Sequence, residues 1–327
     1  MLDQLRKQIF SITNDASFEA CAVSVFHYQY EHCEVYRHFV NALKVDPNKV
    51  NSSNEIPFLP ISFFKTHPIV SGNARPEIVF SSSGTTGTTT SSHYVLETDL
   101  YKKSYQSTFE LFYGKPEDYC IVALLPSYSE RSGSSLIYMV DDLIKQSKHP
   151  LSGYYLSADN ELRTTLEELS YKGQKTLLLG VSYALLDFAE KYTLQLENCI
   201  VMETGGMKGR RKEIIRKQLH DVLRNSFGVK HIHSEYGMTE LLSQAYSKGE
   251  GIFRCPPWML VEAREIDDPL SPVLTQKTGG LNVIDLANLN SCSFISTQDL
   301  GRVYSDNSFE VLGRFDNSDI RGCNLLL

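Results

Sequence analysis

Apolar and polar positions follow three different rhythms along the chain. Through residues 1–55 the apolar residues recur at helical spacing, most clearly in ASFEACAVSVFHYQYEHCEVYRHFVNAL, which predicts a helical N-terminal segment packed on a core. The next stretch, NSSNEIPFLPISFFKTHPI, is turn-rich and broken by proline, so it reads as a surface run that docks its aromatic side chains. From residue 77 the pattern alternates. Short apolar, β-branched runs (EIVFSSS, CIVALLP, GYYLS, KTLLLGV, CIVMETGG, KHIHSEYG) are separated by amphipathic ones (DLYKKSYQSTFELFYG, SSLIYMVDDLIKQS, ADNELRTTLEELSY, SYALLDFAEKYT, RRKEIIRKQLHDVLRNSFG). Strands alternating with helices of this length predict right-handed crossovers and a largely parallel sheet over residues 56–250. Beyond that, IFRCP, MLVEAREI, GGLNVIDL, FISTQDLGRVYS and FEVLGRFD read as short strands joined by turns, a small β subdomain over 251–327. The expected class is therefore α/β: largely parallel sheets flanked by helices, with a β subdomain near the C-terminus. There is no internal repeat.

Composition narrows the function classes. The 327 residues are 42% apolar, enough for a substantial core, and suit one large domain or two modest ones. The formal charge is −7, and the single basic run, KGRRKEIIRK, is too short to suggest general nucleic-acid binding. No stretch approaches the ~20 apolar residues of a membrane span, and MLDQLRKQIFSITND lacks the apolar region of a signal peptide. The seven cysteines (21, 33, 120, 199, 255, 292 and 323) are odd in number and never spaced as CxxC. They read as reduced thiols of a cytoplasmic protein, not as a disulfide frame or zinc site.

In a parallel sheet the loops at the carboxyl ends of strands form the ligand crevice. Residues 81–90, 126–135, 180–183, 203–209 and 234–240 fall there. FSSSGTTGTTTSSHYV, residues 80–95, has the composition of a linker, but PEIVF and HYVLE pin it between two strands. Gly84 and Gly87 allow successive backbone N–H groups to face one anion, and the hydroxyls of Ser82, Ser83, Thr85, Thr86 and Thr88 add donors. No Lys precedes the final Ser/Thr, so this is not a P-loop; an ordinary turn is the alternative. In HSEYGMTE, Tyr236 can stack on a base and Glu240 can hold Mg²⁺ against phosphate oxygens. The alternative is a strand end followed by a helix capped by Thr239. Asp299 in STQDLG suits a carboxylate on vicinal ribose hydroxyls, and GRFDNSDIRG carries Arg314 and Asp316 into a turn; a plain β-hairpin explains both as well. His93, His231 and His233 are either acid–base groups or packing residues.

Together SSSGTTGTTT, METGGMKG, YGMTE, TQDLG and GRFDNSDIRG, in that order, resemble the motifs of the adenylate-forming superfamily of acyl- and aryl-CoA synthetases, peptide-synthetase adenylation domains and luciferases. LLLGVSYALLDFA resembles its acyl-pocket segment. The likeness runs from about residue 55 to 323. It departs in lacking the lysine usual after the loop's second glycine, in Gln298 standing for glycine, and in ending soon after Arg314, where members carry a further mobile domain whose Lys assists adenylation. EIPFLPISFFKTHPI and TGGMKGRRKE resemble the acyl-protein synthetase branch, a component of the bacterial fatty-acid reductase complex of bioluminescence.

The resemblance implies ATP and Mg²⁺ as cofactors and a fatty or aryl carboxylic acid as substrate. It implies phosphates on residues 83–88 with Thr86 as donor, adenine against Gly205 and Gly206 with Tyr236 on its face, and Gly237 and Thr239 beside it. Glu240 would hold the metal, Asp299 the ribose and Arg314 the same sugar. Lys208 is the candidate for the missing domain's cation; a solvated loop lysine is the alternative. Tyr128, Ser132, Gly133, Val181 and Tyr183 are candidates for the acid pocket, or else core positions. In RGCNLLL, Cys323 is the candidate acyl acceptor, with Arg321 favouring its thiolate; a packed free cysteine is the alternative. Three functions stay open: an acyl-protein synthetase, with an acyl-CoA reductase or carrier protein as partner; a ligase whose acceptor is CoA or a separate carrier; and a non-catalytic acyl-nucleotide-binding module.

Overall fold

The computed structural model describes residues 2–82, 90–125, 133–205, 214–266, 268–273 and 275–315. The chain divides into two compact units: Met1–Ala74 with Pro257–Leu327, and Arg75–Pro256.

The first unit begins with helices α1 (Leu2–Ile9), α2 (Asp15–His32) and α3 (Glu34–Ala42). The start of α2 is fixed by a capping box, in which the Asn14 side chain accepts from Ser17 N and Ser17 Oγ accepts from Asn14 N. The proline-broken stretch that follows docks its aromatics as expected: Phe64 is buried and Phe58 meets Phe294 edge-on. It is less of a surface run than its turn residues imply. Leu59 is fully buried in a short strand, β1 (Leu59–Pro60), followed by α4 (Phe63–Thr66).

The second unit starts with a hairpin, β2 (Ile78–Ser81) and β3 (Ser92–Val95), then α5 (Thr98–Tyr113). The alternation expected from the sequence follows: β4 (Cys120–Leu124), α6 (Ser135–Ser147), β5 (Gly153–Tyr154), α7 (Asn160–Tyr171), β6 (Thr176–Val181), α8 (Ser182–Lys191), β7 (Cys199–Thr204), α9 (Arg216–Phe227) and β8 (Ile232–Tyr236). Strand order is β5-β4-β6-β7-β8, all parallel. Two short antiparallel strands, β9 (Ala245–Ser247) and β10 (Ile252–Arg254), extend it beyond β8. Every residue of β4 and β6 is buried, as strands covered on both faces must be. The core on one face joins Val122, Leu178 and Val201 to Leu166, Phe188 and Phe227, the last two rings stacked at 5.6 Å. Gly180 is required by this packing, because a Cβ there would lie 2.7 Å from Leu185 Cγ. Helix α9 stops at Gly228, whose φ of +66° suits a left-handed cap.

The chain returns to the first unit as β11 (Met259–Arg264), β12 (Gly279–Asp285), β13 (Phe294–Val303) and β14 (Phe309–Arg314), an antiparallel meander with β1 added in parallel to β13. Gln29 of α2 anchors it. Its Nε2 donates to Asn288 O, Leu289 O and Ser293 Oγ, each at 3.0 Å, and its Oε1 accepts from Ser293 N. The register of β13 on β14 shifts between Leu300 and Gly301, a bulge two residues past Asp299. A Cβ on Gly301 would sit 2.2 Å from Glu310 O and 2.9 Å from Leu281. Gly301→Ala is therefore expected to lower stability by about 1–3 kcal/mol in urea denaturation. Gly313→Ala, where a Cβ meets nothing, is expected to leave the midpoint within experimental scatter.

Candidate active site

The strand order reverses at β4: the chain leaves it to β5 on one side and comes back to β6 on the other. Such a switch point opens a crevice at the carboxyl ends of the two strands. Leu124 and Gly180 are partners there. Val181, buried, and Tyr183, half-buried, stand at the exit of β6. Gly133, with φ +84°, lies beside β2: its carbonyl accepts from Ser81 N at 2.8 Å. It therefore braces the strand that leads into the Ser/Thr/Gly loop. Tyr128 and Ser132, the other expected acid-pocket residues, lie outside the described residues.

The Ser/Thr/Gly stretch is pinned between strands, as its flanks require. β2 and β3 pair from Ile78↔Val95 to Ser81↔Ser92. At the mouth, Ser82 N donates to Ser91 O (3.1 Å) and Ser91 N donates to Ser82 Oγ (2.9 Å). Ser82 thus closes the hairpin at its described end. Ser83, Gly84, Thr85, Thr86, Gly87 and Thr88 lie outside the described residues, as do Gly206, Lys208, Asp316, Arg321 and Cys323.

His93, two residues up β3, is buried and its Nδ1 donates to Thr239 O at 2.8 Å. This bond ties the hairpin to the turn after β8. That turn is closed by Leu241 N on Met238 O and does not open a helix, so Thr239 is not a helix cap. Tyr236 is buried and meets Phe253 edge-on at 5.9 Å; the guanidinium of Arg216 lies over the same Phe253 ring at 5.0 Å. A Cβ on Gly237 would approach Glu235 Oε1 to 2.5 Å, so a larger residue there would displace that carboxylate. Glu235 is itself held by the hydroxyl of Thr204, across the β7–β8 ladder. Glu240, 6% exposed, sits in the turn. Among the described residues no three His, Cys, Asp or Glu side chains cluster as a metal site. A single carboxylate is nonetheless enough for Mg²⁺, which takes one or two from the protein and the rest from phosphate and water.

Strand β7 leads out through Gly205 at φ +68°. Behind it lies a network that sequence reasoning missed. Glu203 is 2% exposed, and its Oε2 accepts from Ser182 Oγ at 2.8 Å. Its Oε1 faces Arg216 Nε (3.2 Å) and His220 Nε2 (3.5 Å). Burial pushes the carboxyl up, but His220, Arg216 and Ser234 outweigh it and hold it below the usual carboxylate range. The available signal was an acidic residue inside an apolar strand, CIVMET, where only a paired charge is tolerated.

In the first unit, Asp299 and Arg314 face each other across β13 and β14, with Arg314 Nε donating to Asp299 Oδ1 at 3.0 Å. The carboxylate is buried and the guanidinium mostly exposed. Asp299 N donates to Thr297 Oγ1, and Phe315 N to Gln298 O. The hairpin geometry and the carboxylate–guanidinium pair are thus one arrangement. Buried Arg264 braces it from below, with Nε on Asn282 Oδ1 and Ser296 Oγ and a terminal nitrogen on Thr297 O.

Of the cysteines, Cys21, Cys33, Cys120 and Cys292 are buried free thiols. Burial pushes the Cys21 thiol to about 11, an unreactive value. No helix among the described residues is long and apolar enough to cross a membrane.

Residues 10–121 match the family described as acyl-protein synthetase, LuxE. A stretch of 66 residues is 41% identical to the long-chain-fatty-acid–luciferin-component ligase of Photorhabdus luminescens; the match spans 20% of this chain and 56% of that protein, little more than half its length. Among solved structures, a 2-hydroxyisobutyryl-CoA ligase in the postadenylation state, in complex with 2-HIB-AMP, superposes with a TM-score of 0.68 at 14% identity, over 94% of this chain and 70% of its own. ATP-bound MatB from Rhodopseudomonas palustris gives 0.53 at 15%, over 72% and 47%. At these identities the likeness establishes the fold, which is that of adenylate-forming ligases.

His233 in β8 gives folding stability a pH signature. Burial, then the charge of Lys248, lowers it from 6.5 to about 4, and Tyr113 Oη lies 3.2 Å from its Nδ1. The unfolded chain takes up this proton more readily than the folded one. Its contribution is complete above pH 6.5 and is lost as pH falls toward 4, a change on the order of 2 kcal/mol after solvent screening. His233→Gln is expected to flatten the stability profile between pH 6.5 and 4, measured by urea denaturation across that range.

Proposed function

We propose that this protein uses ATP to convert a carboxylic acid into an acyl adenylate and then passes the acyl group to a thiol. The observation that carries this reading is the fold it shares, over 94% of its length, with a ligase captured in complex with its acyl-AMP. The family match over residues 10–121 points to acyl-protein synthesis, and the luciferin-component ligase to a long-chain fatty acid as substrate.

A carboxylate is a poor electrophile because its leaving group would be oxide. Attack by the carboxylate oxygen on the α-phosphorus of ATP forms a C–O–P bond and expels pyrophosphate. A thiolate then attacks the acyl carbon and AMP leaves with the carboxylate oxygen. The protein's task is to align the acid and to stabilise charge on phosphate oxygens. In this reading residues 83–88 supply backbone amides and the Thr86 hydroxyl to the phosphates. Glu240 would hold Mg²⁺, which supplies charge neutralisation there. Gly205 and Gly206 admit the adenine edge, Tyr236 covers its face, Gly237 and Thr239 border it, and Asp299, oriented by Arg314, accepts from the ribose hydroxyls. Lys208 is the cation for the α-phosphate. Val181, Tyr183, Gly133, Tyr128 and Ser132 bound the acid, and Cys323 takes the acyl group. The reaction then belongs in the cytoplasm, with an acyl-CoA reductase or carrier protein drawing the acyl group onward. A ligase of the same fold was also captured with CoA, which favours CoA as the competing acceptor.

The test is intact-mass and pyrophosphate-exchange measurement with ATP, Mg²⁺ and a panel of fatty and aryl acids. The expected result is acid-dependent exchange, AMP release and a covalent acyl adduct that hydroxylamine removes and Cys323→Ser lacks. Acylation of added CoA by Cys323→Ser would move the acceptor off the chain. No exchange with any acid would overturn the adenylation itself. Asp299→Asn is expected to raise the KM for ATP about tenfold, the worth of one charge-assisted hydrogen bond, in the same exchange assay.

A further inference from the structure

Glu203 has no place in the reaction just described, yet it is costly to keep. Its neighbours in β7, Val201 and Met202, are buried and apolar. A hydrophobic residue at 203 would spare the sheet the burial of a charge and would free Arg216 and His220 from serving it. What distinguishes the carboxylate is the hydroxyl it holds. Ser182 begins α8, directly after Val181 at the exit of β6. Its Oγ lies 2.8 Å from Glu203 Oε2 and 3.0 Å from Gly205 O. Thr204 O lies 3.4 Å away, so one hydroxyl stands within reach of the carboxylate and of both carbonyls at the exit of β7. Glu203 Oε2 fixes where that hydroxyl stands, with Arg216 and His220 holding the other oxygen. The hydroxyl in turn meets the carbonyl of a left-handed glycine, whose peptide could otherwise rotate. The carboxylate is thus one step removed from Gly205, and the same serine belongs to the exit of β6.

We propose that Glu203 and Ser182 are positioning residues: through one shared hydroxyl they set the backbone at Gly205 that receives the adenine, and they lock it to the β6 exit that lines the acid subsite. This rests on the adenylation reading. It assigns to a buried pair, with no contact to either substrate, the alignment of nucleotide and acid.

The experiment compares wild type, Glu203→Gln, Ser182→Ala, the double variant and Ser182→Thr. ATP affinity is measured by calorimetry, the KM of the acid and kcat by pyrophosphate exchange, and folding by circular dichroism and thermal unfolding. Each single variant is expected to weaken ATP binding about tenfold, the scale of one hydrogen bond to a charged group, with a smaller change in kcat. The double variant is expected to bind no worse than the weaker single, because both act through the same hydroxyl. Ser182→Thr, which keeps the hydroxyl, is expected to return affinity toward wild type. Should Glu203→Gln fail to fold, Ser182→Ala, which deletes one atom, carries the test. Unchanged ATP affinity in a folded Ser182→Ala, additive losses in the double variant, or a lowered unfolding temperature with normal affinity would each overturn the proposal. A folded wild type that binds no ATP would overturn the adenylation reading and this inference with it; loss confined to the variants separates the two.

Discussion

A parallel sheet covered on both faces has almost nowhere to put polar chemistry. In β4 and β6 every side chain is buried, and their backbone N–H and C=O groups are consumed by the ladders. Polar function is forced to the strand ends, and the helices that cover the sheet begin there. This constraint explains why the hairpin mouth at Ser82, the β6 exit at Val181, the β7 exit at Gly205 and the β8 exit at Tyr236 are the places where the second unit departs from apolar packing. Where a charge does enter a strand, the sheet surrounds it with partners. Glu203 has Ser182, Arg216 and His220, and Glu235 has Thr204.

The regular elements were legible because the same constraint writes itself into the sequence. CIVALL and KTLLLGV are continuous apolar runs of strand length, and SYALLDFAEK between two such runs can only be a covering helix. Partners distant in sequence were not legible. Nothing in PFLP announces that Leu59 will pair with Ile295. Nothing in HYV announces that His93 will reach the carbonyl of Thr239, 146 residues on. The Glu203 network is the same kind of omission: it draws on β7, α8 and α9, each of which looks ordinary alone. The alternative of a helix capped by Thr239 failed because the chain makes a single turn, Leu241 N on Met238 O, and runs on to the antiparallel strand β9 without opening a helix.

The candidate residues of the two units are held in different ways. In the second unit, Gly205 and Glu235 are reached through the hydroxyls of Ser182 and Thr204, with the buried Glu203 carboxylate paired to Arg216 behind them. In the first, Asp299 is oriented by an exposed guanidinium, a contact weakened by solvent. Its stiffness comes instead from beneath, where Arg264 grips β12 and β13 through side-chain and backbone oxygens. Gly280 gives way to that arginine, since a Cβ there would lie 2.3 Å from the guanidinium.

Gln29 has a consequence for the order in which the chain can assemble. Its amide reaches partners 259 to 264 residues away, so the helices at the start of the chain stay without their anchor until the last strands emerge from the ribosome. The second unit is continuous from Arg75 to Pro256, and its parallel strands β4 to β8 pair only with one another and with β9. During translation it can close first, as domains made of uninterrupted chain generally do. The N-terminal helices meanwhile lack Phe294, the ring that both Phe26 and Tyr36 pack against.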